Sequence, residues 1–263
     1  SFDNVSNGPP RRTIYGHGTH GNTPSGDSQK PVVLDCPGPN SVASGSSFGP
    51  QLPQGTPVYD HFGELFTTGH NWNSTMSLSG GNDRTLYFAS GSIDNNHGDI
   101  VGPNDWYKKN TARINASHRM FDNLNVGVDL QYSDVRAAYI QQGSNVDGLL
   151  LGSLRTPPEF NNMVFLDPDS KEQRSYRFPW PSVNSTLHTR GYDNPIFAIY
   201  EQTNTSALTR TFGNVNISYD PFDWLNVKEV FGADYYTDQR LDAFPQSSSG
   251  QPLGQVIEAD FKN

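Results

Sequence analysis

The feature that most constrains this chain is strict two-residue alternation, folded back on itself by a tight turn. From 124 to 133, Leu124, Val126, Val128, Leu130 and Tyr132 alternate with Asn125, Gly127, Asp129, Gln131 and Ser133. Just upstream, Ala112, Ile114, Ala116 and Met120 alternate with Lys109, Thr111, Arg113, Asn115, Ser117 and Arg119; Asn110 and His118 are exceptions. Successive side chains of a strand point to opposite faces, so this hairpin is dry on one side and wet on the other.

The pattern recurs on both sides. Trp72, Ser74, Met76 and Leu78 alternate with Asn73, Thr75, Ser77 and Ser79. Gly80-Gly81-Asn82-Asp83 then reads as a turn, because Gly and Asn tolerate positive φ, and a second run spans 85–93. A third hairpin is expected at 209–219 and 224–237, turning at Asp220-Pro221-Phe222-Asp223, with Glu229 breaking its apolar face. Phe121-Asp122-Asn123-Leu124-Asn125-Val126 and Phe222-Asp223-Trp224-Leu225-Asn226-Val227 are one turn written twice, as suits a meander.

The connections are lopsided. Tight turns near 82, 122 and 221 alternate with excursions at 94–106, 138–207 and from 241 onward. Phe121, Tyr219, Phe222 and Trp224 gather at the tight-turn rim. Aromatic rings with one wet edge favour the lipid headgroup level. Periodicity alone fits a soluble sandwich as well as a barrel. Short turns on one rim and long loops on the other favour the barrel. The expected fold is therefore all-β: an antiparallel, up-and-down transmembrane β-barrel segment, incomplete, with long outer loops. Its expected parts are an irregular first outer loop with a strand end (1–69), barrel hairpins (70–137) and a long outer loop (138–207). A barrel hairpin (208–240), then an outer loop and the start of a further strand (241–263), complete it. Within the long loop, 146–154 reads as a short helix, and Asp167-Pro168-Asp169-Ser170 as the turn of a small hairpin.

Composition narrows the function classes. The chain has 263 residues, only 33% hydrophobic but 12% aromatic, and no window approaches the roughly 20 apolar residues of a membrane helix. The net charge of −9 argues against nucleic acid as a partner. A lone cysteine, Cys36, gives neither an internal disulfide nor a thiol metal site. Ser1 is not a natural start, so the sequence reads as a fragment.

Few strings carry chemistry. Gly16-His17-Gly18-Thr19-His20-Gly21 resembles the histidine motif of subtilisin-like proteases. That triad needs an earlier acid and a distant serine turn, and neither is present in the required context. The 167–172 stretch has calcium-loop spacing without the needed Gly and Glu. No P-loop or dinucleotide fingerprint occurs. The expectation is no enzyme, no cofactor and no metal.

An ordered set of strings resembles the SusC/RagA branch of TonB-dependent outer-membrane receptors. These are Tyr59-Asp60-His61-Phe62-Gly63-Glu64-Leu65-Phe66-Thr67-Thr68-Gly69, Met76-Ser77-Leu78-Ser79-Gly80-Gly81 and Leu86-Tyr87-Phe88-Ala89-Ser90. They continue with Gly148-Leu149-Leu150-Leu151-Gly152-Ser153-Leu154-Arg155-Thr156-Pro157-Pro158-Glu159-Phe160, Phe178-Pro179-Trp180-Pro181 and Asp193-Asn194-Pro195. Asp223-Trp224-Leu225 and Gly232-Ala233-Asp234-Tyr235-Tyr236-Thr237-Asp238 close the set. The resemblance implies the early part of a 22-stranded barrel, with the plug and the TonB-contacting N-terminal part missing. It implies import of oligosaccharides or peptides across the bacterial outer membrane. The implied partners are a SusD-like lipoprotein over the outer loops, the TonB complex and outer-membrane lipid. Family motifs fix no substrate residues. Trp180, His188, Arg190 and Tyr192 are the ligand-contact candidates on the long loop, since aromatic rings and Arg suit sugars and carboxylates. The alternative is a secreted, soluble carbohydrate-binding β domain.

Overall fold

The computed structural model describes residues 15–19, 33–35, 48–51, 54–55, 57–141, 143, 145–156, 160–175, 192–251 and 253–263. Seven strands form one antiparallel sheet in sequence order: β4 (His70–Gly81), β5 (Thr85–His97), β6 (Trp106–Phe121), β7 (Leu124–Ala138), β8 (Thr203–Phe222), β9 (Leu225–Phe244) and β10 (Gln255–Lys262). This is the expected up-and-down meander with open edges. A separate sheet pairs β1 (Tyr15–Thr19) in parallel with β2 (Val33–Asp35) and antiparallel with β3 (Phe48–Gln51). Strands of three to five residues are too short to write a period, so the sequence of this segment reads as irregular.

The register joins the dry sides of all the hairpins. Leu78 faces Ala89, which faces Ile114, which faces Leu130; Val128 faces Val215, which faces Phe231. No described strand or helix forms a second layer over this face, and Leu130 is 44% exposed. A soluble sandwich would bury it.

The apolar band has limits. On β8 and β9 it runs from the Tyr219–Val227 pair to the Thr211–Tyr235 pair. Those nine residues of β8 cover roughly 26 Å of strand, close to what a tilted membrane strand needs. Beyond Tyr132 and Tyr235 the same face carries Asp134, Arg136, Thr209, Thr237 and Gln239. Both faces are polar there, yet β8 and β9 each continue to 20 residues. The third hairpin is thus longer than its periodicity indicates.

The tight turns are staggered. Thr85 ends its hairpin level with His118; Leu124, one side-chain row lower, faces Tyr219; Leu225 lies a further row down, facing Phe222. A constant slip of register is what tilted strands need to wrap into a barrel.

Two boundaries differ from expectation. The β5–β6 connection is only 98–105, because both strands outlast the alternation. The last tight turn is Asp223-Trp224 rather than 220–223. Pairing shifts between Tyr219 and Phe222, so Pro221, which has no N–H to donate, sits in a bulge. The matching turn at Asp122-Asn123 follows a like shift between Arg119 and Phe121, so the repeated hexapeptide builds the same bulged hairpin twice.

The dry core of the chain lies in the loops. Leu65 before β4, Ile100 between β5 and β6, and Ile140, Leu149, Ile196 and Ile199 between β7 and β8 form one buried cluster. Its helices are α1 (Leu149–Arg155) and α2 (Pro195–Glu201). Helix α1 lies within and just past the expected segment. Asp60 starts a short 3-10 turn (Gly63–Leu65) by accepting from Gly63 N, and Leu65 drops from it into the core. Gly102 has φ +94°, and a Cβ there would lie 2.6 Å from Ile199 Cγ2, so only glycine fits.

Candidate functional site

The polar face of the sheet opposes the apolar band at the same depth. On it, Arg113 Nη2 donates to Asp129 Oδ2 at 2.7 Å, and Asn115 Nδ2 donates to the same oxygen at 2.9 Å. Two strands away, Arg210 Nε donates to Asp234 Oδ1 at 2.9 Å while its guanidinium lies 5.0 Å from the Phe212 ring centre. Arg113, Asp129, Gln131, Phe212 and Asp234 line a shallow cleft of about 550 Å³. Each carboxylate meets a guanidinium, so the face is wet and nearly charge-balanced here. In membrane barrels, ionisable groups level with the apolar outer band lie on the interior side.

Four connections from the long-loop rim meet in one assembly, and Asp193 is its node. Its Oδ1 accepts from Gln173 Nε2 at 2.6 Å and Ser249 N at 2.5 Å. Its Oδ2 accepts from Ser248 Oγ at 2.7 Å and Gln202 Nε2 at 3.0 Å. One carboxylate thus ties the β7–β8 loop to the β9–β10 loop. Burial pushes the Asp193 carboxyl above the ordinary carboxylate range, against the opposing pull of those hydrogen bonds.

The next two residues explain a sequence string that alone reads as a turn. Asn194 Oδ1 accepts from Ile196 N at 2.8 Å, capping α2, and Pro195 takes the first helical position, where no N–H is needed. Asn194 Nδ2 also donates to the Asn162 and Arg174 carbonyls. At the other end of α2, Asn104 Nδ2 donates to the carbonyls of Ile199 and Gln202. Ser153 Oγ donates to the carbonyl of buried His61 at 2.6 Å, drawing α1 to the segment before β4.

Of the four ligand-contact candidates, Trp180, His188 and Arg190 lie outside the described residues. Tyr192 is half-buried on the loop assembly, and the Arg155 guanidinium stacks 4.1 Å from its ring centre. Arg155 also donates to the Asn145 carbonyl and side chain. Sequence reading missed Arg155; its place in the last turn of α1 was the available signal. Asp193 was missed for another reason: nothing local marks an acidic residue whose partners lie 9 to 56 positions away.

The other strings settle as turns or fall outside. Asp167 Oδ1 accepts from Asp169 N, Ser170 N and Ser170 Oγ, and these bonds hold its carboxyl below the usual range. Lys171 follows at φ 60°, and Leu166 bridges Gln173, so the expected small hairpin is a single bridge around a tight turn. Of the histidine string, 16–19 lie in β1, and His20 and Gly21 are outside the described residues. Among the described residues no group of three His, Cys, Asp or Glu is placed to hold a metal ion.

No family model matches this sequence, and no curated protein matches it. Solved structures do. The chain is similar to the RagAB peptide importer in its closed-closed state and in its open-open state, each with a TM-score of 0.55 and 22% identity. A further RagAB peptide transporter structure gives 0.55 at 21% identity. Each match covers 78% of this chain and 22% of the other, so this chain spans about a fifth of those proteins. The likeness is one of fold.

Proposed function

We propose that this chain forms part of the wall and outer mouth of a bacterial outer-membrane nutrient transporter of the SusC/RagA type, importing peptides or oligosaccharides. The observation that carries the proposal is the nine-residue apolar band, which no second layer covers among the described residues and which is backed at the same depth by guanidinium–carboxylate pairs. Lipid suits the first side and a hydrated passage the second. In this reading the loop assembly forms the rim where a SusD-like lipoprotein rests, and the TonB complex supplies the energy. Arg155 and Tyr192 are the described loop residues best suited to a ligand, offering a planar cation over an aromatic ring. The chain performs no chemistry on its cargo.

Single cysteines at Leu130 and Gln131 in the full-length protein test the arrangement. Leu130→Cys should react with a bilayer-partitioning probe and resist a charged maleimide; Gln131→Cys should do the reverse. Equal reaction of both with the charged probe would sink the membrane reading. Cargo class is tested by uptake: cells lacking the full gene should lose accumulation of labelled peptide or oligosaccharide mixtures, and cells lacking TonB should lose it equally.

A further inference from the structure

The outward face changes chemistry above the apolar band, where aromatic, polar and charged side chains replace aliphatic ones. The first row clear of that band on β7 is Ser74, Ile93, Asn110 and Asp134; in the second, the register sets Trp72 beside Asn95, Asn95 beside Lys108, and Lys108 beside Arg136. The next row up carries His70, His97 and Trp106. His70, Trp72, Asn95, His97, Trp106 and Lys108 line a cleft of about 400 Å³. Trp72 is 57% exposed, and Lys108 Nζ lies 5.2 Å from the Trp106 ring centre. The Arg136 side chain is 64% exposed and gives Nε to Asp134 at 3.3 Å. Below the cleft the same face carries Ile93, Met76 and Leu78, all exposed.

We propose that this cleft holds the phosphorylated sugar headgroup of an outer-leaflet glycolipid. The inference rests on the membrane reading above. Lys108 and Arg136 supply positive charge at headgroup height for phosphate, and Trp72 and Trp106 supply flat faces for sugar rings. Ile93, Met76 and Leu78 continue downward as the bed for acyl chains, so one ligand is matched along its length. The nearest acidic group of this face is Asp134, already paired with Arg136; Glu258 and Asp260 sit on β10, three strands from Arg136, or roughly 14 Å at ordinary strand spacing. Lys108 is the cation that lines the cleft itself; Arg136, beside it on β7, lines the adjoining cleft with Trp106, Glu258 and Asp260.

The test uses the full-length protein in detergent, titrated with diphosphoryl lipid A and followed by native mass spectrometry. Its arms are the dephosphorylated lipid, inorganic phosphate as competitor, and the double variant Lys108→Gln, Arg136→Gln. Both side chains are exposed, so the variant should fold. The parent should prefer the phosphorylated lipid, and the variant should bind it about 30-fold more weakly, from two lost charges near a membrane surface. Equal binding of both lipids, or of both proteins, overturns the proposal. Displacement by millimolar inorganic phosphate alone overturns the lipid assignment in favour of a free-anion site. A parent that fractionates away from the outer membrane defeats the transporter reading itself, a separate result from lipid indifference in a membrane-inserted parent.

Discussion

Leu130 and Leu65 are the same residue in opposite circumstances. Leu130 sits in a long regular strand and is 44% exposed; Leu65 sits in an irregular connection and is fully buried. The regular half of the molecule has continuous backbone pairing and no interior. The irregular half has little backbone pairing and holds the dry core together with a buried polar network. In water this would be upside down. It becomes sensible if the sheet's solvent is hydrocarbon on one side, where a closed ladder is the first need and burial by protein the lesser one. The loops bury Leu65, Leu149 and Ile199 in one cluster, as a domain standing in water does.

That contrast can be broken most severely at Asp193. Asp193→Ala leaves two amide groups, a hydroxyl and a backbone N–H without their acceptor and should cost the loop assembly on the order of 4 kcal/mol. Limited proteolysis of the full-length protein should cut the β7–β8 loop rapidly, with the barrel intact; unchanged loop cleavage would refute its role as the node. Leu65→Ala should cost about 3 kcal/mol by opening a cavity, whereas Leu130→Ala, on the exposed band, should cost under about 1 kcal/mol. Equal losses in denaturant titrations of the two variants would erase the difference between the halves. On the proposed membrane reading, Leu130→Arg should cost about 3 kcal/mol and its neighbour Gln131→Arg almost nothing, because a charge is expensive only where a barrel meets lipid.

The smallest expected effect is in pH. Burial raises the Asp193 carboxyl, so the folded loops hold its proton more firmly than the unfolded ones do. Between the ordinary carboxylate value and the raised one, the assembly should lose stability as pH rises and regain it as pH falls. Hydrogen exchange at Ser249 N and Ile196 N, corrected for intrinsic rates, should show this trend, and Asp193→Asn should flatten it.

What could be read in the sequence follows from the same contrast. Alternation reveals a strand only where its two faces meet different media. The third hairpin is therefore legible over 209–219, where Val215 and Ile217 oppose Asn214 and Asn216. It fades over 203–208 and 238–244, where both faces are wet although pairing continues. The loop core left no such trace, because Leu65, Ile100, Leu149 and Ile199 come from separate connections and share no period. Asp193-Asn194-Pro195 was visible as a string; its function as knot and cap needed Gln173 and Ser248 brought together from distant positions. For Trp180, His188 and Arg190 the structure adds nothing either way.

The height of the wall sets a mechanical condition on anything that docks there. From Tyr235, at the top of the apolar band, β9 climbs to Phe244. If the band faces lipid as proposed, ordinary rise and tilt over those nine steps lift the rim roughly 23 Å clear of the hydrocarbon. A companion protein held only by acyl chains could not rest directly on its anchor. It would need a leash of about seven extended residues, or a foot of equal height, before its body could touch the rim.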